Sequence, residues 1–452
     1  MGRHATLQRW IYGSGDFGFS LTYTIVDAYF AIFLTDLVGI KPAVAAAAIF
    51  IGRSTDYLND PLAGYLSDRT RTRWGRRRPF LLFGALPFAL AFTLMWWRPP
   101  VANDGLLVIY YAVAYVLFDL GATFTSLPYY ALTPELTDDY DERTALTTAR
   151  MFFSIFASLV AFTIPLLIVG SFRPENADRV LVMGALFGIV AALPLWLVFA
   201  RTRERADFME QPQPGFRQSV KAALGNRPFL FSVGIYLFTW LSVSILEVML
   251  LYFVKYVAQR EAQSDLIMAT IFVVAIAALP FWQWTSQHLD KRKAYMAGIA
   301  FWAVVQLALV SIGPLTPMSV VLGLCVLSGI GVSAAHVLPW SMIPDAVEYG
   351  EWKTGERHEG VFYSLVTLVQ KVCTSVAIPL ALVALDRGGY VPNSVVQPPA
   401  AVAAIRVVAG AVPAVLLCAG ILFAWRYPLG RENYTEIAAE LAARRQAARS
   451  DQ

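Results

Sequence analysis

The strongest constraint on this chain is a set of long, uninterrupted apolar runs. Pro79 to Trp97 reads PFLLFGALPFALAFTLMWW, apolar on every face of a helix. Crossing the roughly 30 Å hydrocarbon layer takes about 20 such residues per helix, whereas a barrel strand would read as about ten residues of alternating polarity. Twelve stretches of this kind recur, at approximately 10–35, 42–66, 79–97, 105–132, 147–170, 179–200, 229–256, 265–285, 295–313, 317–340, 360–385 and 403–425. With 57% hydrophobic and 15% charged residues and a mean hydropathy of +0.54, the chain carries more apolar surface than a water-soluble core of 452 residues can hide. In lipid a helix satisfies its backbone polar groups within its own segment. The expectation is an all-α membrane protein of twelve transmembrane helices.

Lys and Arg stay on the cytoplasmic side of short loops. With the N-terminus inside, 25 of the 36 Lys and Arg fall in inner segments and 8 in outer loops, while Arg53, Arg150 and Lys371 lie inside or at the edge of spans. Both termini are therefore expected in the cytoplasm, with the protein in a bacterial-type inner membrane. The opening MGRHATLQRW runs into the first span with no small-residue cleavage site, as a retained helix does. Cys325, Cys373 and Cys418 lie in spans without zinc or disulfide spacing, which makes them packing residues. The basic turns abut spans, where anionic lipid is a simpler partner than nucleic acid.

The longest polar stretch, Arg201 to Arg227, contains Pro212 and Pro214 and divides the spans six and six. It gives expected bundles at 1–200 and 229–426, a cytoplasmic linker at 201–228 and a tail at 427–452, in which Tyr434 to Arg449 reads as a short amphipathic helix. The halves echo each other. Leu127-Pro-Tyr-Tyr-Ala-Leu-Thr-Pro134-Glu135 ends span four, and Leu338-Pro-Trp-Ser-Met-Ile-Pro344-Asp345 ends span ten. The basic turn Asp68 to Pro79 after span two has a weaker match in Asp290-Lys-Arg-Lys293 after span eight. Repeated six-helix halves are how many transporters frame a mid-membrane site, so the major facilitator fold is expected.

An ionisable side chain near the bilayer centre costs about 2.5–3.5 kcal/mol on insertion scales, so each one needs a partner or a purpose. Span two contains Arg53-Ser-Thr-Asp56-Tyr-Leu-Asn59-Asp60-Pro61, and helical spacing puts Arg53, Asp56 and Asp60 on one face with Asn59 beside it. Oxygen ligands of this kind suit a hard cation, and a close carboxylate pair also tends to hold a proton. A polar knot with Arg53 neutralising one of the acids is the structural alternative. Lys371 in span eleven has no acid within four residues on its own helix; Asp56 or Asp60 is the natural partner. Asp27 lies among Thr22, Tyr23, Thr24 and Tyr29. Span four carries Asp119, Thr123, Thr125 and Ser126, and Arg150 opens span five. Glu247 suits helix packing or a gate as well as ligand contact, and His336 is read as a buried histidine bonded to a backbone carbonyl.

These residues form a familiar pattern. Tyr12-Gly-Ser-Gly-Asp16-Phe17, the Arg53 to Pro61 block, the turn ending Trp74-Gly75-Arg-Arg-Arg-Pro79, Pro128 to Pro134 with Asp141 to Thr144 and Arg150, Ile343 to Glu351, and Gln370-Lys371 resemble the glycoside-pentoside-hexuronide:cation symporters over nearly the whole chain. The resemblance implies that sodium, lithium or a proton is held by Asp56, Asn59, Asp60 and Thr123, that Lys371 is the family's charge-pairing lysine, and that Arg150 touches the substrate. It implies no cofactor beyond the coupling ion. Sugar-binding members carry acids where this chain has Ser20 and Ser126; Asp27 and Asp119 are candidates to replace them, so all five residues enter the expected substrate site.

The expected activity is cation-driven uptake of a glycoside or related small polar solute by a monomer working through alternating access. A second reading follows from an animal relative of the family that moves lysophospholipids with sodium, since loss of both sugar-site acids fits an amphipathic ligand. An enzyme or membrane sensor fits poorly: the sequence holds no nucleophile-base pair, metal spacing or phosphate loop, and no added soluble domain.

Overall fold

A computed structural model describes residues 3–101, 103–136, 140–204, 221–355, 359–394 and 396–450; a few side chains within these ranges, that of Asp56 among them, are not described. Among the described residues there is no strand, only an isolated bridge between Thr72 and Gly75 in the basic turn. Among the described residues ten helices are long and apolar enough to cross a membrane. The other two expected spans are also helical. Span two is divided, and span nine forms a helix over Lys291–Leu309.

In the first half the helices are α1 (Arg3–Ile32), α2 (Pro42–Ser54), α3 (Asp56–Arg69), α4 (Arg78–Met95), α5 (Asp104–Leu136), α6 (Tyr140–Val169) and α7 (Ala177–Arg201). In the second they are α8 (Arg227–Tyr252), α9 (Ser264–Leu289), α10 (Lys291–Leu309), α11 (Met318–Thr354), α12 (Glu359–Arg387), α13 (Pro399–Arg406) and α14 (Val412–Trp425), followed by α15 (Arg431–Ser450). Large apolar side chains such as Leu167 (67% exposed) and Val415 (69% exposed) lie bare on the helix surfaces. That is the expected cost-free arrangement in lipid and a costly one in water.

The chain forms two compact units. The first contains Met1–Gln211 together with Val254–Ala269 and Ile378–Ala404; the second contains Pro212–Phe253, Thr270–Ala377 and Ile405–Gln452. Each has the same internal plan. In the first, α1 packs on α7, α4 on α5, and α4 on α7. In the second, the helices in corresponding positions do likewise: α8 on α14, α10 on α11, and α10 on α14. The repeat heard in the loop sequences is thus a repeat of helix packing. In the second unit α15 docks on α11, where Tyr434 donates to Glu348 at 2.7 Å and Ile437 and Leu441 are buried, so the expected tail helix has an apolar face in use.

Candidate functional site

Span two is interrupted at its chemistry-bearing residues. Ser54 and Thr55 turn their hydroxyls back to the carbonyls of Phe50 and Gly52 at 2.6 and 2.8 Å, a local competition that bends helices. The regular helix resumes at Asp56. Arg53 is 6% exposed and reaches across to other helices: its guanidinium pairs with Asp27 of α1 and donates to the Tyr115 hydroxyl of α5 at 2.7 Å. At Gly52 a Cβ would fall 2.6 Å from the Tyr115 side chain, so glycine there lets α2 come close enough to α5 for that bond. Arg53 thus has an ion-pair partner in span one.

The other end of the block also engages α5. Asn59 donates its side-chain amide to Asp119 at 2.8 Å; Asp119 is fully buried, and Tyr23 of α1 donates to its second oxygen at 3.5 Å. Thr123, 2% exposed, follows Asp119 by one turn of α5, and Asp60 is half-buried. The expected cation set is thus represented by Asn59, Asp60 and Thr123 in a single unit, while the Asp56 side chain lies outside the described residues. Among the described residues no three His, Cys, Asp or Glu side chains converge as a transition-metal site would require. Lys371 lies on α12 in the second unit, half-buried.

The expected substrate residues follow a different seam, between α1 and α6. Asp16 and Arg150 approach to 3.7 Å, Ser20 and Ser154 hydrogen-bond at 2.6 Å, and Thr24 and Ser158 at 3.4 Å. Each rung is four residues from the last on both helices, as two parallel helices in fixed register require. Tyr130 donates to Asp16 at 3.1 Å, and the Arg150 guanidinium lies 4.3 Å from the Tyr130 ring centre. The Arg150 Nε has no hydrogen-bond partner among the described residues. A Cβ on Gly15 would meet the Tyr129 ring at 2.5 Å, which accounts for glycine in the span-one motif. Ser126 is buried on α5. Ser20 and Arg150 share the α1–α6 seam, whereas Asp27 and Asp119 are each bound to residues of the span-two block.

A third assembly, missed by the sequence reading, lies in the first unit just beyond the end of α1. Asp36 is fully buried. It accepts from Lys255 Nζ at 2.6 Å, from Thr35 at 3.0 Å and from the hydroxyls of Tyr256 and Tyr390, and its carbonyl accepts from Asn393. Lys255 also meets Glu261 at 3.3 Å, and Glu261 pairs with Arg173 at 2.9 Å. That hydrogen bond to Glu261 pushes the Arg173 guanidinium further above its ordinary range. Asp36 and Tyr256 both sit in π-helical turns, Phe33–Val38 after α1 and Phe253–Val257 after α8, in corresponding places of the two halves. Gly39 (φ 90°) and Gln259 (φ 54°) follow the two turns in left-handed conformations.

A polytopic helical bundle built from two like-packed halves, with ionisable groups gathered inside one of them, defines a membrane transporter of the major facilitator class. The family model described as MFS/sugar transport protein matches residues 11–431, and the chain belongs to that family. It is 32% identical to an uncharacterized symporter of Synechocystis sp., over 96% of each chain. It is 27% identical to the sodium-dependent lysophosphatidylcholine symporter 1-A of Danio rerio, over 92% of this chain and 84% of the relative. It is 28% identical to the isoprimeverose transporter of Lactiplantibacillus pentosus, over 85% and 81%. Among solved structures, a D-xylose-proton symporter superposes with a TM-score of 0.66 at 15% identity, over 94% of this chain and 97% of that one, a likeness of fold.

Proposed function

We propose that this protein is a cation-coupled symporter for a glycoside or related small polar solute, working by alternating access. The observation that carries the reading is the placement of the span-two block. Arg53 is bound to Asp27 and Tyr115, and Asn59 to Asp119, so the oxygen-rich segment is anchored to the neighbouring helices α1 and α5 at both ends. The coupling ion, Na+, Li+ or H+, is held by Asp56, Asn59, Asp60 and Thr123, with Lys371 as the charge-pairing lysine that the family resemblance implies. Ser20, Ser126 and Arg150 contact the solute, and Asp27 is a further candidate.

The protein works as a monomer in a bacterial-type inner membrane with both termini in the cytoplasm and anionic lipid against its basic turns. In the cycle, the Asp36 cluster is the outer closure: it ties the end of span one to the end of span seven and to the segment between spans eleven and twelve, and it must part when the site opens outward. A second reading, an amphipathic cargo such as a lysophospholipid, draws on the 27% identity to the sodium-dependent lysophosphatidylcholine symporter and on serines at the two acid positions.

The test is thermal stability of the purified protein against sodium, lithium and pH, for wild type and Asp60→Asn. A saturable sodium or lithium shift lost in the variant supports ion coupling. A pH response lost in the variant, without an ion shift, selects the proton. Identical behaviour of the two proteins under all three conditions refutes a coupling role for Asp60. Competition of labelled-glycoside uptake by lysophosphatidylcholine separates the two cargoes.

A further inference from the structure

We propose that Asp119 is a positioning residue of the cation site, fixing which end of the Asn59 amide faces the ion. The inference rests on the reading above, in which Asn59 is one of the cation ligands, and it moves Asp119 from the solute's surroundings to the ion's.

An amide side chain has a donor end and an acceptor end of nearly the same shape, and only the acceptor end can bind a cation. The wrong end would place two N–H groups against the ion. An ionised carboxylate accepts and never donates, so the Asp119 oxygen 2.8 Å from Asn59 Nδ2 holds the NH2 end and turns the carbonyl oxygen of Asn59 away from itself. Asp119 is fully buried and Asn59 is 7% exposed, which places the hydrogen bond where it is electrostatically strong. Tyr23 holds the second carboxylate oxygen, limiting rotation of the group. One turn further along α5 is Thr123, 2% exposed, so a single turn of one helix carries both the group that orients Asn59 and a candidate hydroxyl ligand. Carboxylates that grip the far side of a metal's ligand in this way raise affinity through geometry and through their charge. A buried carboxylate on α5, costly by itself, becomes favourable beside a bound monovalent ion.

The experiment uses the full chain in detergent and reads the sodium and lithium concentrations that half-saturate the thermal shift, at constant ionic strength with choline chloride. Asp119→Leu, which removes acceptor and charge at similar volume, is expected to raise the half-saturating concentration about 10–100-fold. Asn59→Asp alone sets two carboxylates face to face and also weakens binding. The exchange Asn59→Asp with Asp119→Asn reverses the hydrogen bond, the new amide donating to the new carboxylate, and is expected to restore half-saturation to within a few-fold of wild type. A purely structural role would move the melting temperature without ions, not the half-saturation, and would not be recovered by the exchange.

An unchanged half-saturation in Asp119→Leu overturns the proposal, and so does an exchange variant no better than Asn59→Asp. If Asp119→Leu fails to fold, recovery or failure of the exchange decides alone. A wild-type shift abolished by Asp60→Asn yet indifferent to Asp119 leaves the cation site standing and removes only the positioning role. A wild type with no sodium or lithium response removes both.

Discussion

Replacing Asp36 with Asn tests whether the buried outer cluster is a closure that opens during transport. The carboxylate takes hydrogen bonds from Lys255, Thr35, Tyr256 and Tyr390 in a fully buried position. An amide keeps one acceptor oxygen, turns an NH2 group against donors, and leaves Lys255, 7% exposed in its side chain, with the carboxylate of Glu261 at 3.3 Å. Removing one partner of a buried pair costs about 3–5 kcal/mol, and Glu261 offsets part of this, so about 3 kcal/mol is expected. At about 1.4 kcal/mol per tenfold, that is a shift of roughly 100-fold in the closed-to-open ratio, enough to take a 99:1 preference to near parity.

The assay replaces the three native cysteines, places a reporter at Ala258, which is 2% exposed beside the cluster, and labels whole cells with a membrane-impermeant maleimide. Labelling should rise about 50-fold in Asp36→Asn, as the open fraction goes from about one in a hundred to about half. It should fall back in Asp36→Leu with Lys255→Met, where no charge is left unpaired. A rate within twofold of the parent in folded Asp36→Asn, or an equal rise in the control Thr35→Val, would refute the reasoning.

Arg53→Met should destabilise the first unit by about 3–5 kcal/mol, since it removes the guanidinium of a buried pair with Asp27; adding Asp27→Leu should recover most of the loss, read from thermal unfolding in detergent. Glu204 accepts from the backbone N–H groups of Arg76, Arg77 and Arg78 at 2.5, 2.7 and 2.8 Å, at the start of α4. Glu204→Ala should therefore cost about 1–2 kcal/mol as a lost helix cap, with a smaller loss for Glu204→Gln, measured by the same unfolding at low and high salt.

The spans and the repeat were legible because lipid demands long apolar helices whatever their neighbours are, and because loop motifs are local. The positions of the partners were not legible. Helical spacing groups Arg53 with Asp56 and Asp60 but says nothing of a partner on another helix, and Arg53 pairs with Asp27, 26 positions earlier. Asp16 stood in a quoted motif without a role, because its neighbour Arg150 follows 134 residues later and only the register of two helices joins them. Asp36 fell one residue beyond the expected end of span one, and it was counted with neither the spans nor the sites. A signal existed in hindsight: Phe33 to Gly39 and Phe253 to Gln259 occupy corresponding places in the two halves and end in the same unusual backbone conformation.

What the sequence determined by itself is the solvent, the helical nature of the spans, the two-fold repetition and most of the charges that lie within the spans. Each of these follows from hydrophobicity and charge, which act on a segment regardless of its tertiary neighbours. What the tertiary structure decided is which charge meets which. Asp27 serves Arg53, Asp119 serves Asn59, and Asp36 gathers Lys255 and two tyrosines. These pairings depend on helix register and crossing, a few ångströms set by glycines, hydroxyl-bent turns and aromatic packing. In a low-dielectric interior those few ångströms separate a stabilised charge from an intolerable one.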